Sequence, residues 1–200
     1  AAAWGAVRSG APRLAPMRSC GLGLKPDENR AMAMCESLGL SYTTPDDIHA
    51  QAAKLLARQQ VVAFVQDRFE WGPRALGFRS ILANPQRPQL RDKLNLLVKE
   101  RELFRPFAPA VLQQDAADYF NETQNAMAPF MTSVSAIQPG KANDIGACAH
   151  ADGTARVQTV TAESAPGLCR VLEALKSESM PPIVLNTSLN INNEPMVASE

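Results

Sequence analysis

Nine cations fall between Arg68 and Arg105 against four acids, a local charge of +5, which leaves eleven cations and sixteen acids, or −5, for the rest of the chain. A compact positive stretch in a slightly acidic body favours a phosphate-rich ligand, because guanidinium groups grip phosphate oxygens bidentately and Lys supplies a point charge. Arg87, Arg91 and Lys93 read as the solvated face of a helix. Arg74 and Arg79 lie inside Trp71-Gly72-Pro73-Arg74-Ala75-Leu76-Gly77-Phe78-Arg79-Ser80, where two glycines and a proline set a tight turn. Such a turn can bring backbone amides to an anion, although its spacing is that of neither a P-loop nor a dinucleotide fingerprint. Arg79 has a second reading, an ion pair with Glu70 or Asp67.

Two polar clusters lie downstream. His150-Ala151-Asp152-Gly153-Thr154-Ala155-Arg156 gathers an imidazole, a carboxylate, a hydroxyl and a guanidinium in one turn. Asn186-Thr187-Ser188-Leu189-Asn190-Ile191-Asn192-Asn193 follows the apolar run Ile183-Val184-Leu185. It reads either as an ordinary Asn/Ser turn or as a ligand loop at the carboxyl end of a strand, where open α/β sheets bind their ligands.

These residues need a scaffold, and 200 residues of 46% hydrophobic content supply one domain. Acids at Asp27 and Glu28, apolar spacing through Met32, Cys35 and Leu38, and Gly39 as a stop predict a short helix. Thr44-Pro45 predicts the start of another, with Ile48, Ala52, Leu55 and Leu56 as its buried stripe. Val61–Val65 reads as a strand covered on both faces. Further strands are expected at 81–83, 108–112, 131–137, 157–160 and 183–185, with Pro109 at an edge or strand start. Helices are expected at 89–98 and 167–175. Elements alternate without a repeat, so the expected class is a layered, mixed α and β domain.

Composition excludes other classes. No apolar run is long enough to span a membrane, and zero net charge argues against a protein that simply coats nucleic acid. Cys20, Cys35, Cys148 and Cys169 form no Cys-x-x-Cys pair, so neither a zinc ribbon nor a dithiol centre is signalled, and the expectation is a cytoplasmic protein with reduced thiols. The chain starts at Ala1 and stops at Glu200 without terminal signals, which reads as a piece of something longer.

Four ordered motifs carry a resemblance: Glu70-Trp71-Gly72-Pro73-Arg74-Ala75-Leu76-Gly77-x-Arg79-Ser80; Lys99-x-Arg101-Glu102-x-Phe104-Arg105-Pro106-Phe107-Ala108-Pro109; His150-x-Asp152-Gly153-Thr154-Ala155-Arg156-x-Gln158; and Asn186-Thr187-Ser188-x-Asn190. Together they resemble the C-terminal half of the O-carbamoyltransferases that decorate nodulation factors and antibiotics. The resemblance implies a YrdC-like twisted mixed sheet flanked by helices over 24–200, with 1–23 the remnant of an N-terminal kinase-like (ASKHA) domain and a linker. It implies that ATP and carbamoyl phosphate bind here and yield carbamoyl-adenylate, whose carbamoyl group passes to a hydroxyl of a small-molecule acceptor in the N-terminal domain.

On that basis Lys99, Arg101 and Arg156 are the candidate catalytic cations, and Arg74, Arg79, His150, Ser188 and Asn190 join them in binding substrate and ATP. Phosphoryl chemistry needs fixed cations and donors more than covalent help, and these residue types suit it. Mg²⁺ is expected to arrive with ATP, held mainly by its phosphates, with no metal site of the protein's own. His150 is read either as an acid–base or phosphate contact or as a structural residue. Three residues depart from the family pattern. Phe78 stands where Asn is usual and would remove a polar contact, Leu189 replaces Phe, and Asn193 replaces Gly, a mild change because Asn tolerates left-handed backbone. The competing readings are a nucleotide- or RNA-binding module without turnover, nucleic acid being the less favoured ligand, and a relative that adenylates threonylcarbamate or serves hydrogenase maturation.

Overall fold

Short apolar runs and amphipathic helical segments assemble into a mixed sheet with helices on both faces. The computed structural model describes residues 5, 7–10, 12, 15–122 and 125–198. In chain order the regular elements are α1 (Glu28–Ser37), α2 (Ile48–Ala57), β1 (Val62–Val65), β2 (Arg79–Ala83), α3 (Gln89–Leu97), β3 (Ala108–Leu112), β4 (Ser135–Ala136), β5 (Thr154–Ala155), β6 (Gln158–Val160), α4 (Pro166–Ser177) and β7 (Ile183–Ser188). Five strands pair in the order β1-β2-β7-β3-β6, all antiparallel except β3 with β6, and β4 and β5 form a separate two-stranded piece. The layered mixed class and the sheet flanked by helices are as the sequence predicts, and consistent with a YrdC-like architecture.

Side-chain alternation assigns the two faces of the sheet. Ala108, Ala110 and Leu112 of β3 and Val184 of β7 join Ala53 and Leu56 of α2 and Leu168, Leu172 and Leu175 of α4 in the larger core. Leu185 and Ala83 turn to the other face and meet Leu94 of α3 and Phe107. Pro109 sits one residue before two-sided pairing begins, since β6 joins β3 only from Ala110. Its missing N–H therefore falls near the strand start, as its chemistry requires.

Several local expectations are corrected. β1 is an edge strand with Phe64 alone buried, because it pairs only with β2 and one of its faces meets solvent. The 131–137 strand shrinks to β4, preceded by a 3₁₀ turn at Ala128–Phe130. Helix α1 is present but buries no residue, and Leu38 is exposed. Helix α2 starts later than Thr44-Pro45 predicts. Asp47 is its cap, with a carboxylate that accepts from the amides of His49 and Ala50.

The Ala50 amide is the chief cause of a depressed Asp47 pKa. Its contribution to stability is then present above the unfolded value of 3.8 and lost as pH falls through the lower folded value. Replacing Asp47 by Ala is expected to lower the urea midpoint above pH 5 and to do little below pH 3, whereas Asp47→Asn should retain the cap. Urea titrations at the two pH values check this.

Of the stretch 1–23, residues 1–4, 6, 11, 13 and 14 lie outside the described residues. Residues 18–24 are strapped to the domain. Gly23 N–H donates to Phe69 O, Phe69 N–H to Leu24 O and Trp71 N–H to Cys20 O, while Cys20 is buried in the core and Arg18 pairs with Glu163.

Candidate functional site

The β2 start, the β7 end and the β3 start lie at one end of the sheet, as the pairs Ser80↔Ser188 and Ala108↔Asn186 require. A cavity of about 420 Å³ opens there. Arg74 and Ala75 line it from the loop between β1 and β2, Arg101 and Arg105 from the segment between α3 and β3, His150 and Arg156 from the turn around β5, and Asn186 to Ser188 from β7. Pro106, Phe107, Met131 and Val134 supply apolar wall. A smaller compartment of about 160 Å³ adjoins it, sharing Arg101, Arg105 and Ser188 and adding Lys99 and Asn190. Of the predicted site residues, Arg74, Lys99, Arg101, His150, Arg156, Ser188 and Asn190 therefore converge from distant parts of the sequence.

Arg79 does not line either compartment. It is buried in an ion pair, with Nε donating to Glu70 Oε2 at 2.7 Å and the remaining donors directed to Glu70 O and Val197 O. Glu70 Oε1 also accepts from the amides of Leu76 and Arg79. Arg79 is thus a post for the loop that carries Arg74, as its second reading held. Gly77 closes the loop at φ +101, where an added Cβ would also strike Leu168. Phe78 is 2% exposed and packs in the core against Gly21, so the expected loss of a ligand-facing contact is corrected. Asn193 adopts φ 58, the left-handed backbone that Asn tolerates.

Asn95 holds the Lys99–Arg105 segment. Fully buried on α3, it accepts from Arg101 Nε at 2.7 Å and donates to the carbonyls of Leu103 and Arg105 at 3.2 and 2.9 Å. The Arg101 guanidinium then lies 4.8 Å from the centre of the Phe107 ring. Lys99 is anchored beneath Ser188 and Asn190, donating to the backbone and side-chain oxygens of both. Burial, with Arg101 nearby, lowers its pKa to about 8.

Electrostatics single the cavity out. Burial is the first cause that lowers the Arg101 and Arg156 pKa values, followed by other cations: Arg105 and Arg156 for the former, Arg74 for the latter. Among the described residues no carboxylate lies within ion-pair distance of Arg74, Arg101 or Arg156. Partly buried like charges without counterions repel one another, and an anion in their midst relieves the repulsion.

A family profile described as Carbamoyltransferase C-terminus matches residues 53–200. The chain belongs to the carbamoyltransferase family. It is 46% identical over 161 residues to nodulation protein NolO of Bradyrhizobium diazoefficiens, covering 80% of this chain and 29% of that one. It is 44% identical over 155 residues to nodulation protein NolNO of Sinorhizobium fredii, covering 77% and 23%. To a 3'-hydroxymethylcephem-O-carbamoyltransferase of Streptomyces clavuligerus it is 40% identical over 146 residues, covering 73% and 27%. This carbamoyltransferase domain thus spans under a third of the length of those relatives.

Sequence reasoning missed Arg105, Asn186, Asn95 and Phe107 as parts of the candidate site. Arg105 and Phe107 stood in a quoted motif, and Asn95 was detectable as an amide inside the apolar stripe Leu90, Leu94, Leu97 and Val98. Asn186 opened the polar run after Ile183-Val184-Leu185 and the fourth motif, without a role of its own. Among the described residues no cluster of three metal-ligating side chains occurs, and no helix is long and apolar enough to cross a membrane.

The low Lys99 pKa gives a pH test. As pH rises through about 8 the ammonium loses its proton, and anion affinity at the site should fall. Pyrophosphate binding measured calorimetrically from pH 7 to 9.5 is expected to weaken across that interval, and in Lys99→Met the profile should be flatter.

Proposed function

We propose that this domain binds ATP and carbamoyl phosphate in the cationic cavity and forms carbamoyl-adenylate, whose carbamoyl group goes to a hydroxyl of a small-molecule acceptor in another part of the full-length protein. Three guanidiniums without carboxylate partners at the carboxyl end of β7 carry this reading, supported by the family and by relatives whose names include an O-carbamoyltransferase. Carbamate, released when water takes the phosphoryl group of carbamoyl phosphate to give inorganic phosphate, attacks the α-phosphate of ATP; the new O–P bond forms as the bond to pyrophosphate breaks. Arg74, Arg101, Arg105 and Arg156 stabilise the negative oxygens, and Lys99 fixes the Ser188–Asn190 turn beside them. Phe107, Met131 and Val134 offer apolar surface for the base.

The donor set fits Mg²⁺ carried by nucleotide phosphates, since cations rather than carboxylates line the cavity. When bound, Mg²⁺ would neutralise phosphate charge. The deciding experiment follows pyrophosphate on incubation of the chain with ATP, Mg²⁺ and carbamoyl phosphate. Release that depends on carbamoyl phosphate is the expected result. Folded protein that binds ATP and releases none would overturn the reading in favour of a binding module.

A further inference from the structure

Of the three cavity arginines without carboxylate partners, only Arg101 has its guanidinium held by another side chain among the described residues. Asn95 Oδ1 accepts from Arg101 Nε at 2.7 Å, and the Phe107 ring lies against the guanidinium with its centre 4.8 Å away. One constraint acts in the guanidinium plane and the other on its face. Arg74, by contrast, touches only the carbonyl of its own neighbour Pro73, at 3.5 Å. With Nε engaged, the two Nη groups of Arg101 remain as an end-on pair of donors, the geometry that matches two oxygens of one phosphate.

The Asn95 amide has one possible orientation. Arg101 Nε can only donate and the carbonyls of Leu103 and Arg105 can only accept, so Oδ1 faces Arg101 and Nδ2 gives its protons to the carbonyls. Asn95 is fully buried, and an amide is tolerated there because each of its polar atoms is bonded. The segment it grips has few other anchors. Glu102 to Pro106 are exposed, Glu100 adopts left-handed backbone at φ 44, and Arg101 N–H donates to Asn95 O at 3.0 Å. Backbone and side chain of one residue therefore place Arg101, and the same side chain ties two carbonyls that follow.

Resting on the reading of this cavity as an anion site, we infer that Asn95 is a positioning residue that presets Arg101 before any ligand arrives, aiming its two Nη groups at the anion while Arg74 is left to adjust. A free arginine loses rotamer freedom when it grips an anion, and that loss counts against affinity. Arg101 has lost it on folding, so an entering anion meets donors already aimed. Asn95 lines neither compartment and acts through Arg101. A simple pin of the loop would act equally on Lys99 and Arg105, and the two roles separate in their energetic coupling.

The test measures pyrophosphate dissociation constants in a double-mutant cycle. Asn95→Leu, close in size and without polar side-chain atoms, should weaken binding at least ~10-fold in otherwise wild-type protein and by the same factor in an Arg74→Ala background. In an Arg101→Ala background it should change the constant less than ~2-fold, because the group it acts through is gone. A full effect that persists without Arg101 makes Asn95 a pin of the loop and overturns the inference. So does an unchanged constant in folded Asn95→Leu. Should that variant not fold, the wild-type protein still decides. Its Arg101 Nε–H, identified by NMR as the signal missing from Arg101→Lys, should exchange with water at least ~10-fold more slowly than the Arg74 Nε–H, even without ligand. Equal exchange rates in the ligand-free protein overturn the preset guanidinium. Wild-type protein that binds no pyrophosphate instead overturns the anion reading of the cavity, and the exchange rates then decide the Asn95 contact alone.

Discussion

Replacing Glu70 by Ala is expected to cost about 3–5 kcal/mol of stability, the range for removing one partner of a buried ion pair. Glu70 is 3% exposed and Arg79 is 8% exposed, so the orphaned guanidinium would have little water to turn to. The carboxylate also accepts from the amides of Leu76 and Arg79, and both lose their acceptor in the Ala variant. Against a typical net stability of about 5–15 kcal/mol this is a large share. Substituting both partners, Glu70→Met with Arg79→Met, should recover much of the loss, since matched apolar replacements leave no charge behind. Urea denaturation of the three proteins checks this. A single-variant loss below about 1 kcal/mol would mean that the pair behaves as a solvated one.

Arg156→Ala should reduce carbamoyl phosphate-dependent pyrophosphate release at least ~100-fold, the size of effect for a lost contact to charge that develops in a transition state. Its neighbours in the cavity are cations, so removing it relieves repulsion in the empty protein and should not lower stability through charge. A stable, inactive variant is the expected pairing. Lys99→Ala should lose a comparable factor for a different reason, since the ammonium tethers Ser188 and Asn190 and its removal lets the loop after β7 move. The two variants should separate kinetically, Arg156→Ala falling mainly in kcat and Lys99→Ala in both kcat and KM.

The sheet's strands and the four α-helices α1–α4 were legible because apolar periodicity is local. The both-face burial predicted for β1 failed because Val61–Val65 is equally apolar whether one face is covered or two, and only pairing order decides. Thr44 and Asp47 both satisfy cap chemistry, and the site of helix initiation depends on what α2 packs against. In the site, residue types announced a cluster of cations, and the motifs contained most of the residues that line the cavity. The roles of Arg79 and Phe78 needed the fold, since whether a side chain turns into a cavity or into the core depends on partners far along the chain. Asn95 and Asn186 matter through bonds to carbonyls and amides that no local pattern reveals.

The pairing of β2 with β7 also bears on how this protein comes to have a site at all. Ser80 meets Ser188 and Leu82 meets Asn186, so the central ladder joins segments that synthesis separates by more than half the chain. Such long-range closure is slow, and each cavity wall depends on it. A partly folded chain would then lack the cationic cavity, and a ligand would find none until that ladder forms. A ligand of that cavity would act as a brake on unfolding rather than an accelerator of folding, lengthening the lifetime of the finished domain without helping to build it.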